Sequence, residues 1–269
     1  MHLPARLLYR GGPPARSRWD RVGGRRIHSR VAPGRSGARP VVLLHGFGVS
    51  SRYLMPTAVR LAPEFTAYAP DLPGAGRTPR QSMPEHITGM ADVLGQWLDA
   101  LGLERPPLVA NSMGCQVAVR LAAARPDRVG PLVLVGPTVD RHARSLTGQI
   151  LALLRGALHE PPGLLAIIAL DYTLFVLRGG LPVAAHAVSD PVERVLPRVS
   201  QPALVVRGDG DTLVSDVWAR EVAAALPRGA LHVVPGAGHA VNYGRPDVLA
   251  PLVRAFLAAH TAPARGTTA

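Results

Sequence analysis

Short apolar runs bounded by Gly, Pro or Asp recur along the chain, at residues 40–44, 66–69, 107–110, 131–135, 203–206 and 231–234. Consecutive positions in them are apolar, so both faces expect burial, as in strands of a parallel sheet covered by helices. Between them lie segments with apolar residues at helical spacing: 52–61, 84–101, 113–124, 216–226 and 246–259. Strand and helix alternate, which predicts a doubly wound, mostly parallel α/β sheet. Ahead of them, residues 19–22 and 25–31 flank Gly23-Gly24 in the pattern of a β-hairpin, which brings the expected sheet to about eight strands.

The alternation breaks once. Residues 136–202 contain no convincing strand, but 150–158 and 164–177 show helical apolar patterning and 191–202 closes the stretch with prolines at both ends. A structureless loop of this size is foreign to a compact domain, so the stretch predicts an inserted helical lid over the carboxyl ends of the strands. The expected organisation is a core of 17–136 and 203–261, a cap of 137–202, and loose ends at 1–16 and 262–269, which are rich in Arg, Pro, Gly, Ala and Thr.

Chemistry-bearing residues collect at the ends of the predicted strands. The run 107–110 passes into a helical segment through Asn111-Ser112-Met113-Gly114, with Ala110 and Gly114 two positions either side of the serine. A turn this sharp leaves no space for bulk at its flanks and presents the serine oxygen outward, beside the N–H groups that open the helix. After 41–44 comes His45-Gly46-Phe47-Gly48, where glycine lets backbone approach a substrate and the Phe47 N–H joins that of Met113 toward an oxyanion. After 205–206, the loop Gly208-Asp209-Gly210-Asp211 offers an acid. After 233–234, Gly238-His239 offers an imidazole. The chain order is Ser, Asp, His.

Together with Asp71-Leu-Pro-Gly-Ala-Gly76, these motifs resemble the α/β-hydrolase superfamily over most of the chain. The resemblance implies Ser112 as nucleophile, Asp211 as acid, His239 as base, the Phe47 and Met113 N–H groups as oxyanion hole, and the insertion as the cap. It leaves Asp140 as a rival acid, since some members carry the acid after that earlier strand, and it makes His45 structural. Gly46, Asn111 and Phe175 are candidate substrate contacts. His232 reads as a strand residue of the surface or core, Asp71 as a loop cap, and Cys115 as a small buried apolar residue. Serine at the nucleophile position argues against the dehalogenases and epoxide hydrolases of this fold, which use Asp.

Composition changes this picture little. The chain has 269 residues, 47% of them apolar, enough for one large core and too apolar for disorder. All 30 basic residues are Arg, and against 18 acidic ones they give a net charge of +12. Ten fall between Arg6 and Arg39, but charge alone speaks to solubility and steering, so a solvated basic face is expected rather than a nucleic-acid site. The lone Cys115 excludes an internal disulfide, and no His, Asp or Glu cluster has metal-ligand spacing, so no metal and no cofactor are expected. The N-terminus lacks the apolar stretch of a signal peptide and Asp171 interrupts the longest apolar run, so the expectation is a cytoplasmic protein with no stable membrane anchor. No pattern specifies an oligomeric state.

The expected reaction is acyl transfer on a small-molecule substrate, first of all hydrolysis of an ester with an apolar acyl or leaving group. A second candidate is cleavage of a carbon–carbon bond in a diketone-like acid: Asn111-Ser-Met-Gly114 resembles the elbow of hydrolases acting on ring-fission products. Against it stand the lack of Pro after Gly48 and Asn242-Tyr243 where those enzymes often carry Trp. Cofactor-free haloperoxidase or acyltransferase chemistry would use the same residues. A silent binding protein on this fold usually lacks a member of the triad, and here all three are present.

Overall fold

The computed structural model describes residues 15–80, 86–157 and 160–260. The segments 1–14 and 262–269, expected as loose ends, and the start of the helical segment 84–101 lie outside the described residues. Strands are β1 (Arg16–Val22), β2 (Arg25–Ala32), β3 (Arg39–Leu44), β4 (Phe65–Pro70), β5 (Leu108–Asn111), β6 (Leu132–Val135), β7 (Ala203–Gly208) and β8 (Gly229–Val234). Helices are α1 (Met55–Leu61), α2 (Ile87–Ala100), α3 (Met113–Ala124), α4 (Leu146–Gly156), α5 (Pro162–Leu177), α6 (Leu181–Ser189), α7 (Asp216–Ala225), α8 (Val241–Gly244) and α9 (Pro246–His260). The eight strands form one sheet in the order β1-β2-β4-β3-β5-β6-β7-β8. β2 runs antiparallel to both neighbours and the pairs from β4–β3 to β7–β8 are parallel. β1 begins at Arg16, paired with Val31, one residue inside the segment read from sequence as a loose end.

The continuous apolar runs are explained by two cores, one on each face of the sheet. Val42, Leu44, Leu108, Ala110, Leu132, Leu134, Ala203 and Val205 face a core shared with α2, α3 and α7. The alternate residues Val41, Leu43, Val109, Val133, Val135, Leu204 and Val206 face a second core shared with α1 and α9. Period-two alternation on a sheet buried from both sides asks for an apolar residue at consecutive positions of these central runs. Between β6 and β7 the chain builds α4, α5 and α6; the last of these, Leu181–Ser189, was not marked out by the sequence pattern.

The antiparallel ribbon is bolted to the parallel sheet by a buried polar knot. His28 Nδ1 bonds to Asp71 Oδ2 at 2.7 Å, and the Asp71 carboxylate also accepts the N–H of Ser51 at 2.8 Å and of Arg77 at 2.8 Å. Burial alone would raise the Asp71 pKa, but the His28 bond and the adjacent imidazoles outweigh it and hold the carboxyl well below its ordinary value. Both side chains are inaccessible to solvent, so removing one leaves a buried charge short of a partner. His28→Leu should therefore cost about 3 kcal/mol of stability, read as a lower midpoint in urea unfolding, whereas Ser17→Ala, which removes only the exposed hydroxyl 3.1 Å from His28 Nε2, should cost well under 1 kcal/mol.

Candidate active site

β5 ends at Asn111 and α3 begins at Met113, so Ser112 alone makes the turn, at φ 57° and ψ −128°. A non-glycine residue there carries strain of order 1–3 kcal/mol and persists only where its surroundings fix it. The Ser112 N–H continues the sheet ladder to the Val135 carbonyl at 3.0 Å, and the Ser112 carbonyl accepts the Cys115 N–H at 2.9 Å. Gly114 is needed for the same turn, since a Cβ there would lie 2.7 Å from the His45 carbonyl oxygen. The serine side chain is partly exposed, with Oγ 3.5 Å from Thr138 Oγ1. Gly46 lies directly against it. Met113 opens α3, where an N–H has no acceptor within the helix.

The other strand ends bring an acid and an imidazole together. His239 Nδ1 bonds to Asp211 Oδ2 at 2.8 Å, while Asp211 Oδ1 accepts the N–H groups of Leu213 at 2.8 Å and Val214 at 3.1 Å. The acid loop is held by buried Arg207, whose Nε donates to the Val214 carbonyl at 2.7 Å and whose Nη2 donates to the Asp211 carbonyl at 3.1 Å. A carboxylate accepting at Nδ1 fixes the proton there and leaves a lone pair on Nε2. That Nε2 is buried, with no hydrogen-bond partner among the described residues. Burial disfavours the imidazolium, but the Asp211 charge, its hydrogen bond and the charge of Glu160 outweigh it and raise the His239 pKa above 6.5.

The rival acids face elsewhere. Asp140 accepts the His142 N–H at 2.9 Å and the Ser215 N–H at 3.1 Å, which makes it a brace between the β6 exit and α7. Asp209 Oδ1 accepts the Gly236 N–H at 2.8 Å. His45 is buried beneath the glycine loop, with Nδ1 on the Gly46 carbonyl at 2.8 Å and Nε2 accepting the Leu72 N–H at 2.8 Å, and burial lowers its pKa. His232 is exposed on β8. The Cys115 thiol donates to the Ala110 carbonyl at 3.3 Å, and burial pushes its pKa well up.

Asn111, expected as a substrate contact, is a correction. Its amide donates to the Val135 carbonyl at 3.0 Å and to the His239 carbonyl at 3.2 Å, and its oxygen accepts the Tyr53 hydroxyl. With those bonds made and the residue buried, it ties the serine turn to the histidine loop and has no polar atom free for a ligand. Phe175 packs edge-on against Phe47, ring centroids 5.0 Å apart, with Tyr172 beside them at 5.8 Å from Phe47, so these aromatic rings from α5 flank the glycine loop after β3.

Four further residues belong to this arrangement. Tyr53 accepts the Gly46 N–H at 3.0 Å while donating to Asn111, and Asn242 Nδ2 donates to the Tyr53 carbonyl at 3.2 Å. These bonds lock the loops after β3, β5 and β8 to one another. Glu160, just ahead of α5, accepts the Ala240 N–H at 2.9 Å and sets a second carboxylate near His239; burial raises its own pKa. Gly136 (φ 53°) closes β6, and a Cβ there would lie 2.9 Å from His239 Nδ1 and 3.1 Å from Asp211 Oδ2. Gly136 follows an apolar run as the other site residues do, a signal the sequence carried; Tyr53, Asn242 and Glu160 have no local signature.

A serine at a strained strand-to-helix turn on this eight-stranded sheet, with acid and imidazole on the neighbouring strand ends, defines a hydrolase of the α/β type. The chain belongs to the alpha/beta hydrolase family, whose model matches residues 41–252. It is 26% identical over 250 residues to Esterase YbfF of Escherichia coli (strain K12), covering 86% of this chain and 98% of that protein. It is 30% identical over 255 residues to 2-hydroxy-6-oxononadienedioate/2-hydroxy-6-oxononatrienedioate hydrolase 2 of Pseudomonas putida, covering 82% and 88%. Among solved structures, the CarC serine hydrolase involved in carbazole degradation superposes with a TM-score of 0.77 over 91% of this chain and all of that one, at 20% identity, a likeness of fold.

Because Gly136 packs against both the imidazole and its carboxylate, Gly136→Ala should lower kcat by about 100-fold with little change in far-UV circular dichroism. A variant with wild-type kcat would show that the pair tolerates displacement.

Proposed function

We propose that the protein is a carboxylic ester hydrolase working through an acyl-enzyme. The observation that carries the reading is the His239 imidazole, locked at Nδ1 by Asp211 and left with an unpartnered Nε2 lone pair in a loop tied through Asn111 to the Ser112 turn. In this reading Nε2 takes the Ser112 proton as Oγ attacks the carbonyl carbon, and the electron pair of the C=O moves onto the oxygen between the Phe47 and Met113 N–H groups. The tetrahedral intermediate collapses, the alcohol leaves with the proton from Nε2, and water repeats the sequence to release the acid. Helices α4–α6 act as the cap, with Phe175 and Tyr172 lining the side of the site that holds an apolar group. The similarity to an esterase over nearly the whole of both chains supports this assignment.

One observation favours a second reading. The relative at 30% identity is a hydrolase of 2-hydroxy-6-oxo dienedioates, so cleavage of a carbon–carbon bond in a vinylogous diketo acid on the same residues is the alternative. A panel of p-nitrophenyl esters of increasing chain length, run beside such a diketo acid, separates the two. Turnover of the esters with kcat/KM at least about tenfold above the diketo acid supports the esterase; the reverse ranking replaces it.

Ser112→Ala and His239→Ala should each lower kcat by up to ~10⁶-fold and Asp211→Asn by ~10⁴-fold, while Asp140→Asn leaves kcat within about threefold. A fluorophosphonate probe should label the wild type and not Ser112→Ala; absence of wild-type labelling would remove Ser112 as nucleophile. The pH dependence follows from the raised imidazole pKa. Deprotonated His239 is the active form, so kcat/KM should rise with pH along a limb whose midpoint lies above 6.5. Glu160→Gln removes a charge that favours imidazolium, so that midpoint should move to lower pH.

A further inference from the structure

The cap carries a surface unlike the rest of the molecule. Among the described residues, the large apolar side chains most open to solvent gather on its helices: Leu146, Ile150 and Leu154 (65% exposed) on α4, Leu170 and Leu177 (77% exposed) on α5, and Leu181 on α6. Outside α4–α6, only Trp19 and Val217 reach comparable exposure. The three on α4 are four residues apart and form one stripe, and the only buried residues of that helix are Gln149 and Gly156. α5 is apolar all round. It buries Leu164, Ile167, Asp171 and Phe175 against the core and turns equally apolar residues outward. A helix of that kind belongs inside a core or against lipid.

The charge on this face has one sign. Asp171 is the only carboxylate in α4–α6, and it is buried, accepting the Ser50 hydroxyl at 2.6 Å. Arg155 on α4 and Arg178 just after α5 are exposed, whereas the acids at the helix ends are engaged inward, Glu160 with the Ala240 N–H and Asp190 with Arg120. The whole chain carries +12.

We propose that the outer face of the cap docks reversibly on an anionic lipid bilayer, its leucines entering the headgroup boundary and its arginines meeting lipid phosphates. Exposed apolar area and positive charge are the two contributions that hold an amphipathic surface at such an interface. Spanning is not implied. No single described helix is long and apolar enough to cross a membrane, α5 with 16 residues reaches about 24 Å against a hydrocarbon core of about 30 Å, and the chain bends by 102° between α5 and α6. A second copy is the poorer occupant, because a symmetric pairing of this face sets like charges opposite one another.

The test is co-flotation of the full chain with vesicles of phosphatidylcholine, with and without about 30% phosphatidylglycerol, in low salt and in about 0.5 M salt. The wild type should float with the anionic vesicles, at least about tenfold less with phosphatidylcholine alone, and less in high salt. Leu154→Glu/Leu177→Glu alters two mostly exposed side chains, so its thermal unfolding should match the wild type while vesicle binding falls at least about tenfold. Arg155→Glu should weaken binding to the anionic vesicles alone. Binding is read without turnover, so its outcome is independent of the ester-hydrolase reading. The proposal is overturned by a wild type that floats with neither vesicle, by a double variant that binds as well as the wild type, or by light scattering that shows a dimer dissociated by the same substitutions.

Discussion

Everything in the candidate site hangs on one strained turn. Ser112 holds a positive φ because its N–H is spent in the ladder to β6, its carbonyl starts α3, and the elements on either side are packed into the two cores of the sheet. Strain of this kind survives only where the packing around it is worth more than relaxing it. The buried strands therefore support the scaffold and also keep a serine oxygen raised at the end of β5, clear of the helix that follows.

The same turn anchors the polar interior. Asn111, one residue earlier, reaches the His239 loop, and Tyr53 joins it to Gly46, so the loops after β3, β5 and β8 share hydrogen bonds that each would otherwise lack. Buried polar groups are costly unless paired, and a closed network of them admits few alternative arrangements. The Asp211–His239 pair sits at the edge of this network with one imidazole nitrogen left over. Glu160 binds the backbone beside the imidazole from the inserted helices, so the electrostatics of His239 depend on where the insert sits.

The insert differs from the core in how it is held. Its inner side meets the core through aromatic contacts to Phe47 and through Asp171, which takes a hydrogen bond from Ser50; its outer side is left apolar. Polar ties also anchor it: the Gln116 amide donates to the Ala187 carbonyl, the Thr212 hydroxyl to the Ala152 carbonyl, and the Ala240 N–H to Glu160, while the leucines of the outer side stay uncovered.

The sheet, its two helical layers, the insert and the strand-end positions of Ser112, Asp211 and His239 were legible in the sequence. Two-sided burial writes itself as continuous apolar runs, and a sharp turn demands small residues at fixed offsets. Local pattern cannot choose among carboxylates that follow different strands, and there the pairing of Asp211 with His239, and of Asp140 with the Ser215 N–H, was decided by tertiary structure. Asn111 changed from a substrate contact to a brace for the same reason, because its partners lie 24 and 128 residues away along the chain. The bracing roles of Tyr53, Asn242 and Glu160 were not legible, since a buried hydrogen bond between distant residues leaves no periodic trace. Sequence alone determined which candidate residues stand at the strand ends; only the folded chain decided which of them meet, because their meeting depends on contacts that are remote in sequence and adjacent in space.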